Sequence, residues 1–380
     1  MCLYPHKLKR YLFLFLLLGT IAITVGLAHY FTPNNSVVAE ASTPTTRDPW
    51  LWPFTQDSIW NLPLGSNAKY QPANLPTSTY ASADVDLLFK IPPGSPLRPL
   101  YDPGSWTKRC GGTTTYENLL IPIPDDLIVA DAIDTPEKYY TPNNAAALLQ
   151  PDGRTLIQLE PMARCTAGGP VYGYHFPKKD LTLESQGIAG GHLGSGLSSI
   201  GGTIRKGELI DSEPIRHVLK LELWEKYLYY NQDSATPGYR WPADRADAAA
   251  PRIYKGENPQ LVMGTLLAIA PEATEQSLGL RTPAGKKLFH ALQDYGGYVV
   301  DTTGDNNHAI ALEQGVEEEF KATYGYKFST HARSNNPFYA DMMRLFQGLQ
   351  IVVNNQADQV GGGGERRATL APPLQQITDT

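Results

Sequence analysis

One histidine, His192, stands in a run of seven glycines between Gly187 and Gly202, in the stretch GIAGGHLGSGLSSIGG. A neutral imidazole titrating near ~6.5 can act as general acid or base close to neutral pH. So much glycine costs backbone entropy unless the chain needs positive φ or a close approach. The pattern predicts an exposed imidazole near the backbone, with room beside it for a bulky substrate. A turn histidine bonded to local backbone is the plainer alternative. Two nucleotide and hydrolase motifs fail in this stretch. Gly194 and Gly196 are followed by Gly201, the wrong spacing for a phosphate-cradling Gly-x-Gly-x-x-Gly. Ser195 and Ser198 lack the glycine spacing of a nucleophile elbow, which disfavours a serine hydrolase.

Further candidates follow. Arg205 and Glu208, three apart, would share a helical face as an ion pair; alternatively Arg205 binds a substrate carboxylate in bidentate fashion. His217 falls on the apolar side of a predicted strand, either as a core histidine or as a ligand-facing group in a cleft. Tyr239, Arg240, Trp241, Asp244 and Arg245 lie together in GYRWPADRAD. Aromatic faces beside charged hydrogen-bonding groups suit a sugar, and ordered loops share that composition. Asp294, Asp301, Asp305 and Glu313 supply carboxylates late in the chain. A glycosidase needs two carboxyls about 5–5.5 or 6.5–9.5 Å apart. The working assignment is His192 with Asp301 or Asp244 for catalysis, and Arg205, His217, Tyr239 and Trp241 for substrate. Asp301–Asn307 offers oxygen ligands for calcium but does not match an EF-hand loop. No metal and no cofactor is expected.

The elements that would position these groups are mostly strands. Ile215–Leu223 alternates, with Ile215, His217, Leu219, Leu221 and Leu223 on one side and Arg216, Val218, Lys220, Glu222 and Trp224 on the other. Residues 85–91 form one short apolar run, and other strands are predicted twice within 118–128 and at 155–159, 171–176, 263–269, 298–301 and 351–353. Helical periodicity marks 284–295, stopped by Gly296-Gly297, and a second helix opening at Asn336-Pro337. Trp50, Trp52, Phe54, Ile59 and Trp60 read as core, with a sugar-stacking platform as the alternative. Many short strands and abundant turns predict a mainly β protein, a jelly-roll-like β-sandwich with two or so peripheral helices.

Residues 1–31 read as a signal peptide or an N-terminal membrane anchor, with basic residues before the uncharged Tyr11–Ala28. Residues 32–48 read as a polar tether, 49–358 as one domain and 359–380 as a disordered tail. The domain is therefore expected outside the cytoplasm, secreted or anchored. Cys110 and Cys165 then form one expected disulfide. The net charge of −6 comes without charge blocks, so no nucleic-acid partner is expected.

FTQDSIWNLPL (54–64), GSGLSSIGGTIRKGEL (194–209), PIRHVLKLEL (214–223), ALQDYGGYVVDT (291–302) and FYADMMRLFQGLQIVVN together resemble, in order, a group of secreted bacterial proteins of undefined function. The resemblance implies one continuous exported domain and no mechanism. Three functions are carried forward. One is a polysaccharide hydrolase or lyase using His192 and a carboxylate. The second is a carbohydrate-binding or cell-envelope module, and the third a structural surface protein.

Overall fold

The computed structural model describes residues 46–111, 115–135, 138–175 and 181–377. The leader, most of the tether and the Phe176 end of one predicted strand lie outside these. The described residues belong to one compact unit, Thr43–Thr380, and none of their helices is long and apolar enough to cross a membrane.

The strands are β1 (Tyr70–Pro72), β2 (Tyr80–Lys90), β3 (Leu97–Tyr101), β4 (Thr115–Pro122), β5 (Ile133–Thr135), β6 (Lys138–Tyr140), β7 (Ala146–Leu149), β8 (Leu156–Ala163), β9 (Val171–His175), β10 (Leu219–Trp224), β11 (Leu266–Ile269), β12 (Gly297–Thr303), β13 (Asn307–Glu313), β14 (Thr330–His331) and β15 (Leu349–Val352). The helices are α1 (Ala250–Ile253), α2 (Glu275–Leu278), α3 (Pro283–Asp294), α4 (Val316–Tyr324) and α5 (Pro337–Gly348). Thirteen strands form one mixed sheet in the order β1-β15-β11-β12-β10-β13-β2-β7-β8-β9-β3-β4, with β14 on β2; β5 and β6 pair separately. The protein is thus mainly β, as expected. Its β10–β12, β13–β2, β2–β7 and β3–β9 pairs are parallel, whereas a jelly roll is built from antiparallel Greek keys.

Strand β2 joins two halves of the sheet. Its residues 80–86 pair with β13, and its residues 87–90 pair with β7. One apolar cluster lies between the sheet and the helices, where Leu219, Leu221 and Leu223 meet Leu288 and Leu292 of α3 and Phe338, Met342 and Phe346 of α5. A second cluster draws on the inner face of both halves: Leu88, Leu149 and Leu156 from one, Val218, Tyr298 and Val300 from the other. Trp50, Phe54, Ile59 and Trp60 fill it, so the tryptophan-rich start of the domain is core. A third cluster covers the opposite face of β7 and β8.

Both long predicted helices form, each with a side-chain cap and proline at its first turn. The Thr282 hydroxyl accepts from Gly285 N, and Asn336 Oδ1 accepts from Phe338 N. The second strand expected before Ile128 is reduced to a bridge between Val129 and Arg164. The expected disulfide joins Cys110 and Cys165, whose Cα atoms are 6.2 Å apart. Residues 359–377, expected as a disordered tail, instead lie against the domain: Leu374 bridges Arg47, Arg366 bridges Gly65, and Ala371 is buried.

The glycine run threads the second core. Gly202 has φ +77°, and a Cβ there would stand 2.7 Å from the Trp60 ring. Strain and overlap add at this position. Gly202→Ala is expected to lower unfolding free energy by about 2 kcal/mol or more, measured as a lower denaturation midpoint. A midpoint equal to wild type would show that the loop is not packed as described.

Candidate functional site

Four strands share one design on the inner face: apolar at one end, charged at the other. Along β2 the inward residues are Asp84, Asp86 and Leu88; along β8 they are Leu156, Gln158 and Glu160. The stretch Val218, Lys220, Glu222 leads into and along β10, and β12 contributes Tyr298, Val300 and Asp301. The apolar ends make the second core. The charged ends converge on His192.

Two local features permit the convergence. Strand β13 lies between β10 and β2, and it places Ala309 opposite Glu222 and Ala311 opposite Asp84. These short side chains leave space for Lys220 and Glu222 to reach toward β2. The β10–β12 register then shifts, so that Leu221 aligns with Val299 but Glu222 with Asp301. Such an irregularity re-aims a side chain, and here it brings Asp301 level with Glu222.

Lys220 Nζ sits 2.8 Å from Asp86 Oδ2 and 2.9 Å from His192 Nε2, and it donates to the Ser199 and Ser198 carbonyls at 3.0 and 3.3 Å. Both charged side chains of the Lys220–Asp86 pair are fully out of solvent. His192 Nε2 is 3.6 Å from Asp86 Oδ1, and its Nδ1 is 3.7 Å from Asp301 Oδ2. Glu160 accepts from Leu193 N, which pins the loop just after His192. Asp84 and Glu222 face one another beside the imidazole. At the rim, Asp247 accepts from Tyr254 Oη at 2.6 Å and Thr302 Oγ1 at 3.1 Å. Asp84, Leu193, Asp247 and Thr302 are half-buried; His192 and Glu160 are 0 % exposed and Asp301 7 %.

The electrostatics follow from burial and crowding. Burial, then neighbouring carboxylates, raise Glu160 and Glu222 well above the usual carboxyl range and raise Asp84 as well. Burial also opposes ionisation of Asp86, but Lys220 and His192 outweigh it and hold that carboxyl low. Burial and the Lys220 charge press His192 toward neutrality; Asp301, Asp86 and Glu160 overcome both and lift it to about 9. Burial and Asp301 raise Asp247 to about 6.

The sequence-derived candidates are distributed as follows. His192 and Asp301 lie together at this centre. The expectation of an imidazole exposed by its glycines is corrected: a Cβ on Gly194 would stand 2.5 Å from Asp301 Oδ1, so the protein's own carboxylate takes the space left open for substrate. Asp244 is exposed at its tip, with Arg245 Nε 2.7 Å away, and its backbone N donates to Ser195. Tyr239 and Trp241 are half-buried, packed against the first and second apolar clusters respectively. Arg205 is buried, pairs with Glu313 at 2.9 Å and donates to the Trp50 carbonyl. Glu208 accepts from Arg205 N and meets His217 Nε2 at 3.1 Å, while His217 Nδ1 donates to the Val218 carbonyl at 2.9 Å. Arg205 and His217 therefore belong to a separate network. Asp84, Asp86, Glu160, Lys220 and Glu222 are not among the sequence candidates. The signal for them was charge alternating with apolar residues in ADVDL, LIQLE and VLKLE. Two surface cavities, of about 750 and 370 Å³, lie elsewhere, by α2–α3 and beside Trp50.

No protein-family model, curated protein or solved structure matches this chain.

Lys220→Met strands the Asp86 charge in the interior and is expected to cost about 3–5 kcal/mol. Lys220→Met with Asp86→Asn is expected to recover part of that loss, read from a double-mutant cycle; full additivity would deny the pairing. A second expectation concerns pH. Burial favours the neutral forms of Glu208 and His217, but their mutual attraction lowers the first and raises the second. The lowered Glu208 contributes stability above 4.5, lost as pH falls through its folded value; the raised His217 contributes below 6.5, lost as pH rises through its folded value. His217→Gln should therefore destabilise more at pH 5.5 than at pH 9. Equal losses at both would remove the ion pair.

Proposed function

We propose that this is an extracytoplasmic polysaccharide-active enzyme, a hydrolase or lyase that works through the carboxyls gathered about His192. The observation that carries the reading is the convergence of Asp84, Asp86, Glu160, Glu222 and Asp301 on one buried imidazole beneath a half-buried rim. Opposed carboxyls are the apparatus of glycosidic cleavage, one delivering a proton to the leaving oxygen and one activating water or the sugar carbon. An imidazole beside them can take or return a proton. The loop that carries Tyr239 and Trp241 also carries Asp247, which reaches the rim through Thr302 and Tyr254. A sugar ring stacked on that loop would lie next to the acidic floor. Export agrees with the disulfide, since such bonds persist in oxidising compartments; residues 1–31 would direct it there.

A second reading is a non-catalytic carbohydrate-binding or cell-envelope module. The full burial of His192 favours it, because a proton donor out of substrate's reach needs the rim to open first. A structural surface protein is the third and has no specific observation in its favour.

The test is turnover of cell-wall and exopolysaccharides by the purified chain, with Asp301→Asn and Glu222→Gln beside it. An enzyme is expected to release reducing ends, and each variant to lose at least about 100-fold in rate with its circular dichroism retained. Product absorbing in the ultraviolet would assign a lyase. Glycan binding without turnover, equal in wild type and variants, would select the module and sink the catalytic reading.

A further inference from the structure

We propose that Glu160, His192 and Asp301 form a binding site for one divalent transition-series cation, with Asp86 as the carboxylate that orients the imidazole. The inference does not depend on the glycan reading.

The starting point is what lacks a partner. Among the described residues, Glu160 Oε1, His192 Nδ1 and Asp86 Oδ1 are buried without a hydrogen-bond partner, and all three residues are 0 % exposed. Native interiors rarely leave such atoms orphaned unless an ion or water meets them. Ligand atoms of Glu160, His192 and Asp301 all lie within 4.8 Å of one another. His192 Nδ1 and Asp301 Oδ2, 3.7 Å apart, are too distant for a hydrogen bond. Two ligands at ~2.1 Å from one tetrahedral ion stand about 3.4 Å apart, so this pair would close by only about 0.3 Å around an ion.

The other side of the ring is already satisfied. Lys220 has three N–H groups and three oxygen acceptors, Asp86 Oδ2, Ser199 O and Ser198 O. Those satisfy the ammonium without His192. Asp86 Oδ1 lies on the Nε2 side of the ring, 3.6 Å away, and has no hydrogen-bond partner among the described residues. A cation taking the place of the Nδ1 proton would sit among His192, Glu160 and Asp301. A carboxylate behind a ligating histidine is the usual outer partner at metal centres.

Charge selects this side of the ring. Asp84, His192 and Glu222 also lie close enough to share an ion, but His192 Nε2 already has the Lys220 ammonium 2.9 Å away. The lysine stands there in place of a cation. Among the described residues, neither Glu160 nor Asp301 forms a salt bridge with lysine or arginine. One imidazole nitrogen with two carboxylate oxygens suits Mn²⁺ or Zn²⁺ better than Ca²⁺ or Mg²⁺, which favour all-oxygen sets. Three protein ligands leave a position open for water or a substrate oxygen, which a bound cation would polarise.

The experiment is calorimetric titration of the full chain, stripped with a chelator, with MnCl₂ and separately with ZnCl₂. One cation per chain is expected. Glu160→Gln and Asp301→Asn should each weaken binding at least 10-fold, and Asp86→Asn about 10–100-fold; Asp305→Asn should leave it unchanged. No binding to the folded wild type, or binding that survives both Glu160→Gln and Asp301→Asn, overturns the proposal. Should the variants fail to fold, Co²⁺ absorption by the wild type decides. Intense visible bands of a four- or five-coordinate site with nitrogen are expected, and a weak octahedral all-oxygen spectrum overturns the imidazole ligand. Binding is read without any glycan, so absence of turnover leaves this inference standing, and absence of metal leaves the glycan reading standing.

Discussion

A lysine ammonium and an aspartate carboxylate, 2.8 Å apart and both sealed from water, set the terms for the middle of this protein. Desolvating two such charges is costly, and only close approach plus filled hydrogen-bonding positions offset it. Lys220 meets the condition through Asp86 and the carbonyls of Ser198 and Ser199. Those carbonyls belong to the glycine-rich loop, so the loop's path is tied to the charge pair. His192 is carried on the same loop, and its position against Asp86 and Asp301 follows from that tie.

The sheet is shaped to admit the pair. Ala309 and Ala311 keep the floor of β13 low, while the shifted register of β12 turns Asp301 inward. Larger residues on β13 would fill the space that Lys220 crosses to reach Asp86. On the other face of β10, Leu219, Leu221 and Leu223 fill the helix-covered core. A single strand thus alternates between two environments, dry hydrocarbon on one side and a crowded set of titratable groups on the other.

Much of the scaffold was legible in the sequence. The alternation at 215–223, the capped helices at 283 and 337 and the cysteine pair each rest on local rules that the structure leaves in force. The register shift was not legible, because it depends on how β12 meets β10. Strand β2 was hard to read because Asp84 and Asp86 break its apolar pattern with residues that ordinarily face solvent. The site shows the same division. His192 and Asp301 stood out by type and setting. Lys220 and Glu222 looked like the outward half of an amphipathic strand, and Asp84 and Glu160 stood just beyond the ends of the runs at 85–91 and 155–159. Only a sheet whose two halves share an inner face turns that half inside. The glycines misled for a related reason: absence of a side chain signals close approach without saying what approaches, and here it was Trp60 and Asp301.

Strand β2 pairs with β13 through residue 86 and with β7 from residue 87 onward. Asp84 and Asp86 therefore sit at the seam, on the last ladder rungs of one half, while Glu160 is carried by the other. Any shear between the halves would change the gap across which these carboxyls repel one another, and any change in their charge would push on the seam. The spacing between the halves and the charge carried by these carboxyls are thereby tied together where β2 changes partner, between Asp86 and Leu87.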